Sequence, residues 1–264
     1  MHVAPEPSEL RELAVRAARE TGALLQHHAE RGLRGLDTKS TATDMVSDAD
    51  REAEELLARI LHEARPDDAL LGEEGAGREG TTGLRWVVDP LDGTTNFVFG
   101  YPQWAVSVAV EDEHGALAGA VYDPSRDEMF AAARGRGTTL NGDRVHVRGT
   151  HDLGQALVAT GFGYDAERRR QQAAQVARVI GGIRDIRRGG AAAIDIAWVA
   201  CGRLDGYWES GLNAWDWAAG SLLVTEAGGF WSCQPGPLGV EQAVAACPGV
   251  YDALFDLVNA DARG

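Results

Sequence analysis

Trp86-Val87-Val88-Asp89-Pro90-Leu91-Asp92-Gly93-Thr94-Thr95-Asn96-Phe97 is the most informative stretch of the 264-residue chain. An apolar strand delivers Asp89 at its end. Pro90, which has no N–H to give to a ladder, is expected to stop the strand there. Asp92 follows three residues later, within reach of the same point in space. Gly93 permits close backbone approach, and Thr94-Thr95-Asn96 opens a helix whose first N–H groups have no intrahelical partner. Such a helix start suits a phosphate, because orphan donors and helix dipole both favour an anion. Two carboxylates beside an anion cradle call for a cation between them. Mg²⁺ takes oxygen ligands at ~2.1 Å and keeps several waters, so a few carboxylates and a substrate phosphate complete its shell. Standing alone, Asp-x-x-Asp-Gly reads as a cap followed by a turn; three other segments decide against that.

The first is Leu71-Gly72-Glu73-Glu74-Gly75, an acidic pair directly after an apolar strand. The second is Ala214-Trp215-Asp216-Trp217, a lone acid at the front of an apolar helix, where the dipole alone would favour it. The third is Asp44 to Asp50, acids expected to lead a helix over Ser47–Ala64 that Pro66 stops. An amphipathic helix is expected over Ser8–Arg31, with apolar residues at Leu10, Leu13, Ala17, Leu24 and Leu25.

Outward from Asp89 the texture is strand-rich. Leu84–Val88, Ala105–Val110, Ala116–Tyr122 and Glu128–Ala133 are short segments divided by Gly, Asp and Pro, with Glu113-His114-Gly115 as a hairpin tip. Gly75 to Gly83 reads as a loop. After about Val147 strands alternate with helices. The strands are Ala156–Thr160, Ile183–Arg187, Leu204–Trp208, Gly229–Ser232 and Ala243–Ala246; the helices are Ala166–Ile180, Ala191–Cys201, Trp215–Ala227 and Val250–Ala260. That alternation predicts a layered α/β half. Residues 1–147 are expected to form a helix pair plus a largely antiparallel sheet, and residues 148–264 an α/β half.

Bulk properties narrow the function. A chain of this length buries roughly 70–75% of its unfolded surface, so its core needs no disulfides. Cys201, Cys233 and Cys247 are far apart and suit a reducing compartment. No basic segment followed by an apolar run opens the chain, and the apolar tract Gly189–Gly202 is short and holds Asp195. A cytoplasmic protein without a membrane partner is expected. Forty acidic against 25 basic residues give a net charge of −15, which repels phosphate backbones and argues against direct nucleic-acid binding. An acidic protein still binds an anionic substrate where carboxylates hold cations that reverse the local sign.

Taken together, Gly72-Glu73-Glu74, Asp89 to Phe97, and Trp215-Asp216 with Thr225-Glu226-Ala227-Gly228-Gly229 resemble the inositol monophosphatase family, part of a lithium-sensitive, Mg-dependent sugar phosphatase superfamily that includes the fructose bisphosphatases. The resemblance runs in order from about Leu10 to Val258. It implies an α-β-α-β-α layered fold and phosphoric monoester hydrolysis. It also implies metal ligation by Glu73, Asp89, Asp92 and Asp216 and by the carbonyl of Leu91. Asp50 and Thr94 would orient the attacking water, with Glu73 in the catalytic set. The backbone of Gly93, Thr94 and Thr95 would cradle phosphate. Substrate contacts extend to Asp92, Ala192, Asp216 and Glu209, the last accepting a hydrogen bond from a sugar hydroxyl. Lys39 aligns with a lysine near the site. Two principal Mg²⁺ ions, and a weaker third, are family features, and members are usually homodimers.

This chain departs from the family where it reads Gly190-Ala191-Ala192-Ala193, because a hydroxyl is missing at Ala191. Arg187-Arg188 reads either as an anion or polyol contact or as a solvated strand end. Arg168-Arg169-Arg170 reads as a solvated helix face, and Trp208 and Trp217 as packing residues. Inositol monophosphate is the expected substrate, with histidinol phosphate and fructose 1,6-bisphosphate as alternatives. Thr95-Asn96 favours the inositol branch, because related histidinol-phosphate and nucleotide phosphatases more often carry Lys after the first Thr. A non-enzymatic alternative is an interaction protein on the same fold that binds the transcription machinery.

Overall fold

The computed structural model describes residues 5–34, 42–73 and 75–260, and side chains within these except at 32–34 and 42–47. Lys39, Glu74 and the side chain of Asp44 lie outside the described residues. Two long helices come first, α1 (Pro7–Arg34) and α2 (Ala42–Ala64). α2 begins five residues before Ser47, so Asp48 and Asp50 do not lead the helix but stand within it. A side chain that can cap a helix marks a start only where the turn before it is not already helical.

The first sheet follows: β1 (Ala69–Gly72), β2 (Gly77–Arg78), β3 (Arg85–Asp92), then the short α3 (Thr94–Val98), β4 (Ala105–Asp112), β5 (Gly115–Asp123), β6 (Glu128–Ala133), β7 (Gly137–Leu140) and β8 (Asp143–Val145). Its order is β2-β1-β3-β4-β5-β6-β7-β8, antiparallel except that β1 and β3 run parallel. The expected loop at 75–83 therefore contains the edge strand β2. The β7–β8 hairpin turns at Asn141-Gly142, both at positive φ. Asn-Gly between alternating residues is a strong hairpin signal that the sequence reading passed over.

The second half is β9 (Leu157–Thr160), α4 (Ala166–Val179), β10 (Asp185–Arg187), α5 (Ala192–Ala200), β11 (Gly206–Ser210), α6 (Ala214–Glu226), β12 (Phe230–Pro235), β13 (Glu241–Ala246) and α7 (Tyr251–Asn259). The second sheet has the order β10-β9-β11-β13-β12; β10, β9 and β11 are parallel, and β13 is antiparallel to both of its neighbours.

Strand alternation sorts the core into three layers. Trp86, Val88, Val106, Val108 and Val110 face α1 and α2, against Leu10, Leu25, Leu57 and Leu61. Val87, Ala105 and Ala109 face the other way, onto α5 and α6, and Tyr207, Ala159 and Ala245 close the same layer from the second sheet. Val158, Trp208, Val244 and Ala246 point outward to Val179, Leu254 and Val258 of α4 and α7. The result is the expected α-β-α-β-α stack. α5 and α6 are sandwiched between sheets, which is why both are apolar nearly all round, whereas α1 and α2 keep one polar face. Close packing in the middle relies on small residues: a Cβ at Gly119 of β5 would stand 3.2 Å from the Cα of Ala219 in α6.

Among the described residues no helix is long and apolar enough to cross a membrane, and the three cysteines are free thiols.

Candidate active site

β3 does not stop at Pro90. It runs on to Asp92, with a register shift: Asp89 pairs with Ser107 and Asp92 with Ala105, three residues against two. That extra residue is a bulge, and Pro90 sits in it, where no ladder N–H is required. The consequence is chemical. In a regular strand residues three apart face opposite sides, but the bulge rephases the strand so that Asp89 and Asp92 share a face. Leu91 points the other way, into the α1–α2 core. Both acids are buried, at 1% and 8% exposure.

The site lies where parallel strands end, as in open α/β sheets generally. From the first sheet come Glu73 after β1, Asp89, Leu91 and Asp92 from the end of β3, and Gly93 and Thr94 after it. From the second come Gly161–Tyr164 after β9, Arg188–Ala192 after β10, and Glu209 with Gly211–Asn213 at the end of β11. Asp216 enters from the first turn of α6. These segments enclose a cleft of about 260 Å³.

Hydrogen bonds fix its walls. Asp89 Oδ1 accepts from the Leu91 N–H at 2.9 Å, and the Thr94 hydroxyl donates to the Leu91 carbonyl at 3.1 Å. Asp92 accepts from the N–H groups of Ala192 (3.2 Å) and Ala193 (2.7 Å), so a carboxylate of one sheet caps the helix that leads into the other. Asp216 accepts from the Asn213 N–H at 2.6 Å in a capping box. Gly93 holds φ 90°, and the helix it opens has no side-chain cap, which leaves its first amides to an incoming anion. A buried bridge reinforces the seam. Asn96 donates to the carbonyls of Gln103 (2.7 Å) and Gly189 (3.0 Å), and Gln103 Nε2 donates to Asp195 at 3.1 Å.

Crowded carboxylates resist ionisation. Burial pushes Asp89 well above its ordinary range, and Glu73, Asp92 and Asp216 push it further. Burial and Asp216 do the same to Asp92, against the two amides that favour its charge. Burial raises Asp216 to about 6. It raises Glu209 to about 7 although the Tyr207 hydroxyl donates to its Oε2 at 2.5 Å, and Asp195, near Glu209, to about 8.

The donor set fits a hard divalent cation. It offers only oxygens, and among the described residues Asp89, Asp92 and Asp216 make no ion pair that would neutralise them. The carboxylates share the cleft without forming a closed cage. Among the described residues, no three His, Cys, Asp or Glu side chains already stand in a geometry that could hold a metal ion.

The structure thus gathers Glu73, Asp89, Leu91, Asp92, Gly93, Thr94, Ala192, Glu209 and Asp216 around one cleft. Asp50, buried on α2, and Thr95, exposed on α3, are not among the residues lining it. Trp208 and Trp217 do not line it either; Trp208 belongs to the outer core and Trp217 packs on Trp231 at 5.7 Å. Arg187 pairs with Asp185 on the surface, whereas Arg188 lines the cleft. Arg168 lines it too, which corrects its reading as part of a solvated face; only Arg169 and Arg170 are exposed. Two features were missed. Asp195 entered only as an argument against a membrane span, although a lone acid in so apolar a helix signals a buried polar contact. The loop Gly161-Phe162-Gly163-Tyr164 follows the expected strand Ala156–Thr160, which the structure shows pairing in parallel with β10 and β11, the place where such folds bind ligands.

Comparison with known proteins places this geometry. The model of the inositol monophosphatase family matches residues 6–259. Nus factor SuhB of Pseudomonas aeruginosa is 44% identical, with 83% of this chain and 83% of that protein covered. Inositol-1-monophosphatase SuhB of Mycobacterium tuberculosis is 39% identical over 95% of this chain and 93% of that protein. The solved structure of Mycobacterium tuberculosis SuhB superposes with a TM-score of 0.84 at 37% identity, covering 97% of each chain. The chain belongs to the inositol monophosphatase family, a family of phosphoric monoester hydrolases.

Proposed function

We propose that the protein hydrolyses the phosphate monoester of a small polyol, inositol monophosphate first, with Mg²⁺ held by Glu73, Asp89, Asp92, Asp216 and the Leu91 carbonyl. The observation that supports this most is the bulge that turns Asp89 and Asp92 onto one face, beside Asp216 and an uncapped helix start. Bound divalent cations supply positive charge against the phosphate and the departing alkoxide, and lower the pKa of water.

The protein's own groups do the rest. The amides of Gly93, Thr94 and Thr95 bind phosphate oxygens. Thr94 orients the attacking water; Asp50, which does not line the cleft, takes the water's proton only by relay through the Thr94 hydroxyl. Glu209, held by the Tyr207 hydroxyl, accepts a hydroxyl proton of the leaving polyol in a hydrogen bond. Ala192 sets one wall of that subsite through its amide link to Asp92. Turnover of inositol 1-phosphate, histidinol phosphate and fructose 1,6-bisphosphate, with and without Mg²⁺, tests the reading; hydrolysis of none of them ends it. A cytoplasmic homodimer is part of the proposal, and light scattering of the purified protein checks the assembly.

The name of the Pseudomonas relative, a Nus factor, supports a second reading, a transcription-related interaction on the same fold. The expected absence of nucleic acid among the partners is therefore not carried forward. Retention of the purified protein on transcription complexes, by wild type and by the metal-ligand variant Asp89→Asn alike, would separate that role from hydrolysis.

A further inference from the structure

Beside its six carboxylates the cleft holds two guanidinium groups, those of Arg168 and Arg188. Both are seated by missing side chains. A Cβ at Gly163 would stand 3.2 Å from Arg168 Cδ, and one at Gly211 would stand 2.7 Å from its Nη1. The two glycines leave the slot along which Arg168 enters. Gly190 leaves room for Arg188 in the same way, and Arg188 rests over the Phe162 ring at 5.9 Å.

Among the described residues neither guanidinium makes an ion pair or donates a hydrogen bond; Arg168 commits only its backbone N–H, to Asp165. Arg188 lies close enough to Glu209 and Asp195 to favour their charged forms, so part of its charge is already offset. Among the described residues Arg168 makes no ion pair with Glu209 or Asp216, although all three line the same cleft. A guanidinium offers five donors in a fork that matches carboxylate or phosphate.

Direction matters as well. Glu73, Asp89 and Asp92 come from the first sheet and Asp216 from α6, whereas Arg168 and Arg188 follow strands of the second sheet and Glu209 lies in its strand β11. A phosphoryl group at the first-sheet wall would direct its alcohol toward the arginines.

We propose that Arg168, assisted by Arg188, binds a second anionic group on the leaving alcohol, so that this chain prefers phosphate monoesters of acidic polyols. This rests on the hydrolase reading above. The second group is a carboxylate or a phosphate, and the test separates them.

In the test, kcat/KM is measured with Mg²⁺ on inositol 1-phosphate, 6-phosphogluconate, fructose 1,6-bisphosphate and p-nitrophenyl phosphate. The proteins are wild type, Arg168→Gln and Arg168→Lys. The wild type should favour at least one doubly anionic substrate over inositol 1-phosphate. Arg168→Gln should lower kcat/KM on that substrate by about tenfold or more relative to inositol 1-phosphate, the loss of a charge-assisted contact. Arg168→Lys should retain part of the preference. Which of the two acidic substrates responds identifies the carboxylate or the phosphate.

A wild-type preference for inositol 1-phosphate overturns the proposal, as does an equal loss on all four substrates, which would place Arg168 on the transferred phosphate or in the scaffold. Should Arg168→Gln melt early, Arg168→Lys and Arg188→Gln carry the same comparison. A wild type that hydrolyses none of the four, p-nitrophenyl phosphate included, overturns the hydrolase reading and this proposal with it.

Discussion

Glu209→Gln tests how the cleft reads the alcohol. Glu209 is half-buried at the end of β11, one oxygen taken by the Tyr207 hydroxyl at 2.5 Å, with the other left to the cleft. Tyr207 is fully buried, so its hydroxyl will keep whatever acceptor position 209 supplies. In the glutamine variant that acceptor is the amide oxygen. The NH₂ then faces the cleft, where a donor replaces a charged acceptor. A polyol hydroxyl that donated to Glu209 loses a charge-assisted hydrogen bond worth about 1.5–3 kcal/mol. That is roughly one to two decades in kcat/KM on inositol 1-phosphate. An aryl phosphate has no hydroxyl to offer and should lose much less. Steady-state kinetics on both substrates, with melting curves as a check on folding, decide it. An equal fall on both would place Glu209 in the scaffold or the catalytic machinery and refute the argument.

Two further perturbations follow from the geometry. Burial holds the folded-state pKa of Asp195 at about 8, above its ordinary value of 3.8, so the folded protein binds the extra proton between those values. Its contribution to stability is therefore lost as pH rises from about 4 to about 8, by up to ~1.4 kcal/mol per pH unit, and is constant above. Asp195→Asn should remove that slope from urea unfolding measured across the window; parallel curves for variant and wild type would show that Asp195 does not carry it. Gly93→Ala forces φ 90° on a residue with a Cβ, which would stand 2.9 Å from the Gln103 carbonyl oxygen. It should cost about 1–3 kcal/mol of stability and most of the activity; an unchanged urea midpoint and unchanged turnover would contradict the cradle.

Much of this was legible because burial writes itself into period. The Val and Ala runs of β3 to β6 alternate between two apolar faces, and the uniformly apolar α5 and α6 announce a layer enclosed on both sides. The acids were legible too, since carboxylates after apolar strands have few reasons to be there. What escaped depended on partners distant in sequence. Pro90 looked like a stop because nothing local reveals a bulge whose count is set by Ser107 and Ala105 on the neighbouring strand. Arg168 looked solvated because the slot it occupies is made by Gly163 and Gly211, the latter more than forty residues away. Asp195 acquires meaning only beside Gln103, which lies on the other sheet's side of the seam.

The most direct test of the central claim is hydrolysis of inositol 1-phosphate by wild type and Asp89→Asn across a Mg²⁺ titration. Asp89 is the most buried of the cluster, and Glu73, Asp92 and Asp216 all act on its carboxyl. An amide keeps its shape and its bond to the Leu91 N–H but brings no charge to a cation. The account predicts Mg²⁺-dependent turnover by wild type and background turnover by a folded Asp89→Asn at saturating Mg²⁺. Near-normal turnover by the variant, or wild-type turnover that survives chelation, would contradict it.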